Sequence, residues 1–518
     1  MDPILLSVGT LLERQAAARA DRPFLSFGDG ATFTYAEAAD RAWRLGACLA
    51  ARGLQPCDRV VLMLKNSLFY PVAWLGILAQ GFVAVPVNSR LGPDDAGYIM
   101  RHSGARLVLC DGATAAIARA AAAKAGTAAE IVEVGAEEHD PAFLQDHAPV
   151  ARPFTDVRTL GNVQYTSGTT GLPKGCLLSH GFWQRMGDCA AKFLQLEGGD
   201  RILTAQPFSY IDPLWNVMCT LQRGAHLFTL DAFHPSTFMQ AIADLQITVF
   251  YCVGVMPSLL LKQPESAADR GHRLKLVGCS AIPPTLHRAI EARWGVPWRE
   301  IFGMTESGLN IAVTPEEHEE LVGSASIGTA LPHCDIQVAD EEGRDVAPGE
   351  VGELRLRCPG LMDGYLNDPE ATARFFRDGW ANTGDLVTRD EKGRIFFRGR
   401  RKEMIRRGGE NIAQAEVEFA LRSHADVLDC AVAPVPDELL GEEGKAYVVL
   451  LPGRTAEPAA LHAFLSSRIA VFKVPRYWEF RADLPRTPSE RIEKRKLEQG
   501  RSSWQEATFD AREGRWLA

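Results

Sequence analysis

Apolar runs at 60–64, 82–87 and 106–110 alternate with helical patterns at 69–80 and 94–102. Strands that are apolar on both faces and separated by helices read as βαβαβ, a parallel sheet covered on both sides. A second such series runs from Arg201 through 247–252 to 274–277, so the chain up to about Gly328 is expected to be α/β. Beyond it the texture changes to shorter strand-like segments punctuated by Gly and Asp, such as 349–356, which suggests a small antiparallel β-barrel. Past Arg400, a helix at 413–424, strands at 427–433 and 445–451 and a helix at 458–470 make a compact α+β tail. The charged stretch Gly399-Arg400-Arg401-Lys402 between them reads as a linker. The expected division is an N-terminal unit of 1–399 and a C-terminal unit of 403–518.

At 518 residues the chain is too long for one core, which agrees with that division. A net charge of −9 argues against a nucleic-acid or anionic-membrane partner, while leaving room for a locally basic site that meets an anionic substrate. Eleven cysteines are scattered singly with no CxxC pair, which favours reduced thiols and a cytoplasmic protein over a disulfide framework. The first residues carry an early acid and too short an apolar run to read as a signal peptide. The alanine-rich run at 113–123 is broken by Arg119 and far too short for a membrane span.

The densest chemistry lies in Tyr165-Thr166-Ser167-Gly168-Thr169-Thr170-Gly171-Leu172-Pro173-Lys174-Gly175, which follows a short strand at 162–165. Its glycines let backbone N–H groups approach an anion, and its hydroxyls and the Lys174 ammonium add donors, so it reads as a phosphate cradle. It is not the P-loop GxxxxGK[ST], because its lysine follows Leu-Pro and precedes Gly.

Three further motifs stand in order: Gly278-Cys279-Ser280-Ala281 with Phe302-Gly303-Met304-Thr305-Glu306, then Thr383-Gly384-Asp385 with Gly399-Arg400, and Met404 to Ile412 with its Arg406-Arg407-Gly408-Gly409 core. With the loop, they make the chain resemble, almost end to end, the adenylate-forming superfamily of acyl-CoA synthetases, luciferases and peptide-synthetase adenylation domains. The acyl-CoA ligase branch is the nearer, with some likeness to crotonobetaine/carnitine-CoA ligases. The resemblance implies that Thr166 to Gly171 and Lys174 hold ATP phosphates, that Gly278, Cys279, Ser280 and Ala281 line adenine and that Phe302 stacks on it, with Gly303 and Met304 beside it. It also implies that Thr305 touches the α-phosphate, that Glu306 binds Mg²⁺, and that Asp385 and Arg400 hold the ribose. Residues 400–402 become a hinge centred on Lys402, about which the tail turns between two half-reactions. Arg406, Gly408 and Gly409 become a coenzyme A contact.

At Pro485-Arg486-Thr487-Pro488-Ser489-Glu490-Arg491 the sequence departs from the family pattern, which has Ser-Gly-Lys there; Arg491 takes the place of the lysine that reaches carboxylate and α-phosphate. It keeps a cation in a bulkier, planar form, and Lys494 is an alternative three residues on. Tyr210, Asp212 and Trp215 fall on the expected acyl pocket. Asp212 reads either as an N-cap before proline or, beside an aromatic, as a contact for a quaternary ammonium.

These readings together imply an ATP- and Mg²⁺-dependent enzyme that joins a small carboxylate to coenzyme A through an acyl-AMP, with a homodimer as a compatible assembly. Two alternatives stay open: a stand-alone adenylation enzyme that loads a carrier protein, and a non-catalytic nucleotide-binding relative, the latter raised by Arg491.

Overall fold

The computed structural model describes residues 6–28, 30–135, 139–150, 156–166, 172–253, 256–401, 403–408, 410–486 and 492–517. Their strands gather into three sheets. The alternating pattern at 60–110 is realised almost residue for residue as parallel strands Arg59–Met63, Val83–Pro86 and Leu107–Asp111, crossed by helices Phe69–Ala79 and Pro93–Ser103. Helix Phe69–Ala79 is apolar all round because every one of its residues is buried. Strand Glu130–Val134 extends this sheet at one side; at the other come the hairpin strands Leu160–Thr166 and Lys174–Ser179 and the two-residue strand Gly364–Tyr365.

The largest sheet has fourteen strands. One arm is built from strands Arg201–Thr204, His226–Thr229, Val249–Val253, Leu276–Ser280 and Trp298–Met304, all paired in parallel. Trp298–Met304 is where the sheet changes character, being parallel to Leu276–Ser280 and antiparallel to Gly308–Ala312. The strands expected as a small barrel continue from there as an antiparallel arm, because Ser326–Ala330 pairs with Gly308–Ala312 on one edge and with Ile395–Arg400 on the other. Trp380–Arg389, Val351–Arg357 and Asp335–Ala339 follow outward.

The expected linker starts later than its composition suggests. Gly399 and Arg400 belong to strand Ile395–Arg400, paired with Leu386 and Asp385, so the connection begins at Arg401; Lys402 lies outside the described residues. The tail forms its own sheet around strands Val427–Asp437 and Gly441–Leu450. Helices Gln414–Arg422 and Pro458–Ser466 bury Val417, Leu421, Leu461 and Leu465 against it together with Trp478. Lys262 Nζ donates to the carbonyl of Val427 at 2.6 Å, a bond between the tail and the rest. The eleven cysteines are free and mostly buried. No helix among the described residues is long and apolar enough to cross a membrane, and the alanine-rich run is the short helix Ala115–Ala125.

Candidate active site

The phosphate-cradle loop joins two antiparallel strands, with Tyr165 opposite Gly175 and Thr166 opposite Lys174. Ser167, Gly168, Thr169, Thr170 and Gly171 lie outside the described residues. The roots of the loop are well anchored. Tyr98 donates to the carbonyl of Pro173 at 3.2 Å, and the Tyr165 hydroxyl meets His102 Nδ1 at 2.8 Å. A β-carbon at Gly175 would come within 2.7 Å of Val163 Cγ1, so this strand can cross there only with glycine. Lys174 is thereby fixed at the first position of its strand, its Nζ over the Tyr365 ring at 5.0 Å from the centroid and 3.8 Å from Asp368 Oδ2.

Glu306 arrives from the other sheet. It lies in the tight turn between Trp298–Met304 and Gly308–Ala312, where a β-carbon on Gly303 would meet the Gly308 carbonyl at 2.5 Å. Its carbonyl accepts from Met362 N–H at 2.8 Å, and its Oε1 accepts from the Tyr365 hydroxyl at 2.9 Å. Lys174 and Glu306, which the sequence placed in separate motifs, therefore meet on one aromatic residue that it did not single out. Cys176 lies buried below, and its burial pushes that thiol well up, so no second anion forms beside Glu306. A Mg²⁺ that arrives with nucleotide phosphates needs only one or two protein carboxylates, and Glu306 offers one. No cluster of three or more His, Cys, Asp or Glu side chains able to hold a metal occurs among the described residues.

The segment expected to line adenine ends strand Leu276–Ser280 and turns at Ala281, whose φ of 71° is unusual for a residue with a side chain. A further residue absent from the motif reading holds that turn. Glu300 accepts from the N–H groups of Ala281 at 2.5 Å and Ile282 at 2.9 Å. Burial pushes its carboxyl up to about 8, against the pull of those two N–H groups. Ser280 bonds the Ile301 carbonyl and the Tyr251 hydroxyl. Phe302, next along, is partly buried against the core.

Asp385 and Arg400 face each other across strands Trp380–Arg389 and Ile395–Arg400. They share a sheet with Phe302 and Gly278, separated from them by Ser326–Ala330 and Gly308–Ala312. The Asp385 side chain is only 2% exposed and accepts from Arg400 Nε at 3.2 Å.

In the expected acyl segment, Tyr210 rather than Asp212 caps helix Ile211–Arg223, and without a side-chain cap bond. Asp212 is the second helical residue, which corrects the N-cap reading: the helix starts at Ile211, two residues earlier than an Asp212 cap followed by Pro213 would start it. Asp212 Oδ1 accepts from the Trp215 indole at 3.1 Å, and Trp215, almost fully buried, packs edge-on against Tyr251 at 4.9 Å. The Tyr210 hydroxyl accepts from Asn88 Nδ2 at 2.7 Å.

In the tail, Arg406 and Gly408 belong to the hairpin of strands Met404–Arg407 and Glu410–Ala413, with Gly408 at φ 57° in its turn. Arg406 is exposed, whereas Arg407 pairs with the buried Glu443 at 2.8 Å. Gly409 and Arg491 lie outside the described residues. Lys494 is committed elsewhere, with Nζ 2.7 Å from Glu418 Oε1 and 2.8 Å from Gln414 Oε1.

The glycine- and hydroxyl-rich hairpin, the acidic turn at Glu306 and the Asp385–Arg400 pair stand on one α/β frame, that of an adenylate-forming type of enzyme. The family model for AMP-binding enzymes matches residues 12–366 and that for the AMP-binding enzyme C-terminal domain matches 416–491, and the chain belongs to this family. A sulfoacetate–CoA ligase of Cupriavidus necator is 33% identical over 501 residues, covering 95% of this chain and 97% of its own. The fatty acid–[acyl-carrier-protein] ligase ScoC of Streptomyces coeruleorubidus is 34% identical over 479 residues, 90% of this chain and 92% of its own. The crystal structure of ATP-bound MatB from Rhodopseudomonas palustris matches with a TM-score of 0.84 at 28% identity, over 95% of this chain and 98% of that one.

Proposed function

We propose that the chain is an ATP-dependent carboxylate–CoA ligase that forms an acyl-AMP and then an acyl-CoA thioester. The observation that carries this reading is the meeting of Lys174 and Glu306, from two different sheets, on Tyr365. A cation and a carboxylate so close, at the root of a glycine- and hydroxyl-rich hairpin, suit a polyphosphate bound together with a hard cation. Mg²⁺ bound at Glu306 would neutralise phosphate charge and so let an anionic carboxylate approach the α-phosphorus. Lys174 and the hairpin N–H groups hold the phosphates, Phe302 and the 278–281 turn take the adenine, Asp385 with Arg400 takes the ribose, and Thr305 with Arg491 serves the reacting oxygens.

In the second half-reaction the thiol of coenzyme A displaces AMP. Residues up to Arg400 form the ATP- and acyl-binding unit, 401–402 the hinge at Lys402, and 403–518 the mobile unit that offers Arg491 to the first step and the Arg406-Gly408-Gly409 hairpin to the second. Tyr210, Asp212 and Trp215 border the acyl pocket. Free, buried thiols suit a cytoplasmic enzyme.

The test is carboxylate-dependent exchange of pyrophosphate into ATP, run over aliphatic, aryl, sulfonated and betaine-like acids, followed by thioester formation with coenzyme A. Exchange with at least one acid and thioester only with coenzyme A is expected. Exchange with no acid sinks the reading. The likeness to ScoC motivates one competing acceptor, a pantetheinylated carrier protein; thioester formed on the carrier and none on free coenzyme A would decide for it.

A further inference from the structure

We propose that Tyr365 is a positioning residue for the phosphate end of the site, setting Lys174 with its ring face and Glu306 with its hydroxyl. The inference rests on the ligase reading for the identity of the ligand, though not for the geometry. Tyr365 is itself held from three sides. It pairs with Cys176 in the edge strand, its N–H donates to Thr372 Oγ1 at 2.9 Å, and the next residue, Leu366, donates to the Gly175 carbonyl at 2.8 Å. The phosphate strand and this aromatic therefore move as one body.

A carboxylate oxygen accepts, and the Tyr365 hydroxyl is the donor that meets Glu306 Oε1 at 2.9 Å. Donation to Oε1 fixes the carboxylate plane and turns one oxygen inward to the protein. A carboxylate restrained in this way meets a cation at a set angle and loses little freedom on binding it. On the other side of the residue, the ring face supports the Lys174 ammonium, while Asp368 Oδ2 at 3.8 Å is too far for a hydrogen bond. Lys174 is thus held in place without being neutralised by a tight carboxylate contact, as a phosphate ligand requires.

The experiment uses the full chain and two variants, Tyr365→Phe and Tyr365→Leu, with ATP binding measured by calorimetry without metal and Mn²⁺ binding to the ATP complex measured by its paramagnetic signal. Tyr365→Phe keeps the ring and the fold; it is expected to weaken Mn²⁺ binding about tenfold, the size of one hydrogen bond to a charged group, and to leave metal-free ATP binding within about twofold. Tyr365→Leu removes the ring as well and is expected to weaken metal-free ATP binding too. In a Glu306→Gln background the phenylalanine change is expected to cost almost nothing more, because the hydroxyl acts through that carboxylate.

Mn²⁺ binding unchanged in Tyr365→Phe, or a full additional loss in the Glu306→Gln background, overturns the proposal. Wild type that binds Mn²⁺ with ATP but exchanges pyrophosphate with no acid would sink the ligase reading and leave this test intact; wild type that binds no ATP overturns both.

Discussion

Arg400 stands directly across an antiparallel pair from Asp385, its Nε donating to Oδ1 at 3.2 Å. The carboxylate is almost fully buried, whereas the guanidinium is about one third exposed, so the arginine compensates a charge that burial would otherwise make costly. Such an aspartate is oriented by the arginine and able to accept from ligand hydroxyls. Asp385→Ala is therefore expected to raise the KM for ATP about 10- to 100-fold, the worth of one or two hydrogen bonds to a charged acceptor. The sharper measurement compares ATP with its 2′- and 3′-deoxy analogues. Wild type should discriminate against them and the alanine variant should not; equal use of all three by wild type would remove the ribose role.

Lys494 and Arg491 separate in the same assay. Lys494 is bound to Glu418 and Gln414 inside the tail, where Glu418 also accepts from the Val432 N–H at 2.8 Å. Lys494→Ala is expected to lower the stability of the tail by about 2 kcal/mol, as loss of a partly buried ion pair does, and to leave pyrophosphate exchange near the wild-type rate. Arg491→Ala is expected to cut exchange by roughly 10²- to 10³-fold, the usual cost of one preorganised donor, with no change in unfolding. Reversal of the two phenotypes would move the adenylating cation to Lys494.

The parallel strands between Arg59 and Cys110 were legible because both faces of that sheet are buried, which writes an unbroken apolar run into each strand. The antiparallel arm was legible as strands but not as a continuation of the large sheet, since its joints are pairings such as Gly328 with Ile395 that leave no local trace. The same division runs through the site. Lys174, Glu306, Asp385 and Arg400 announce themselves by motif and order. Tyr365 and Glu300 do not: one is in a two-residue strand that folds back onto Cys176 and Leu177, and the other reads as a polar interruption after Trp298. The Asp-Pro of residues 212–213 was read by the commonest local rule, and the helix begins one residue before it.

Asp212 braces Trp215, and through the Trp215–Tyr251–Ser280 contacts it reaches the turn at Ala281. The Asp212 charge also helps hold the Tyr251 phenol well up, after burial. A brace of this kind should act on every substrate alike. Asp212→Ala is expected to reduce exchange by a similar factor, about three- to tenfold for one lost charged hydrogen bond, whether the acid is neutral or carries a quaternary ammonium. Loss confined to the quaternary ammonium acids would instead make the carboxylate a direct substrate contact.

Glu300 gives the protein a pH dependence of defined sign. Its carboxyl is held up to about 8 in the fold, above an ordinary value of 4.5, because burial outweighs two bonds from Ala281 and Ile282. The folded state therefore binds this proton more tightly than the unfolded chain does. Its contribution to stability is complete below about pH 4.5, falls as pH rises toward 8, and is constant above that, with a slope of roughly 1.4 kcal/mol per pH unit in between. Glu300→Gln lacks a titrating group but keeps one acceptor for the turn. The difference in unfolding free energy, wild type minus variant, measured by urea denaturation, is expected to decline between about pH 5 and pH 8 and then level off. ATP affinity should follow the opposite course in wild type, improving as the ionised carboxylate grips both N–H groups and fixes Ala281 at its positive φ, and should be nearly flat in the variant. A stability difference that does not change with pH would mean that Glu300 is ionised throughout and that the turn is held without any proton-linked cost.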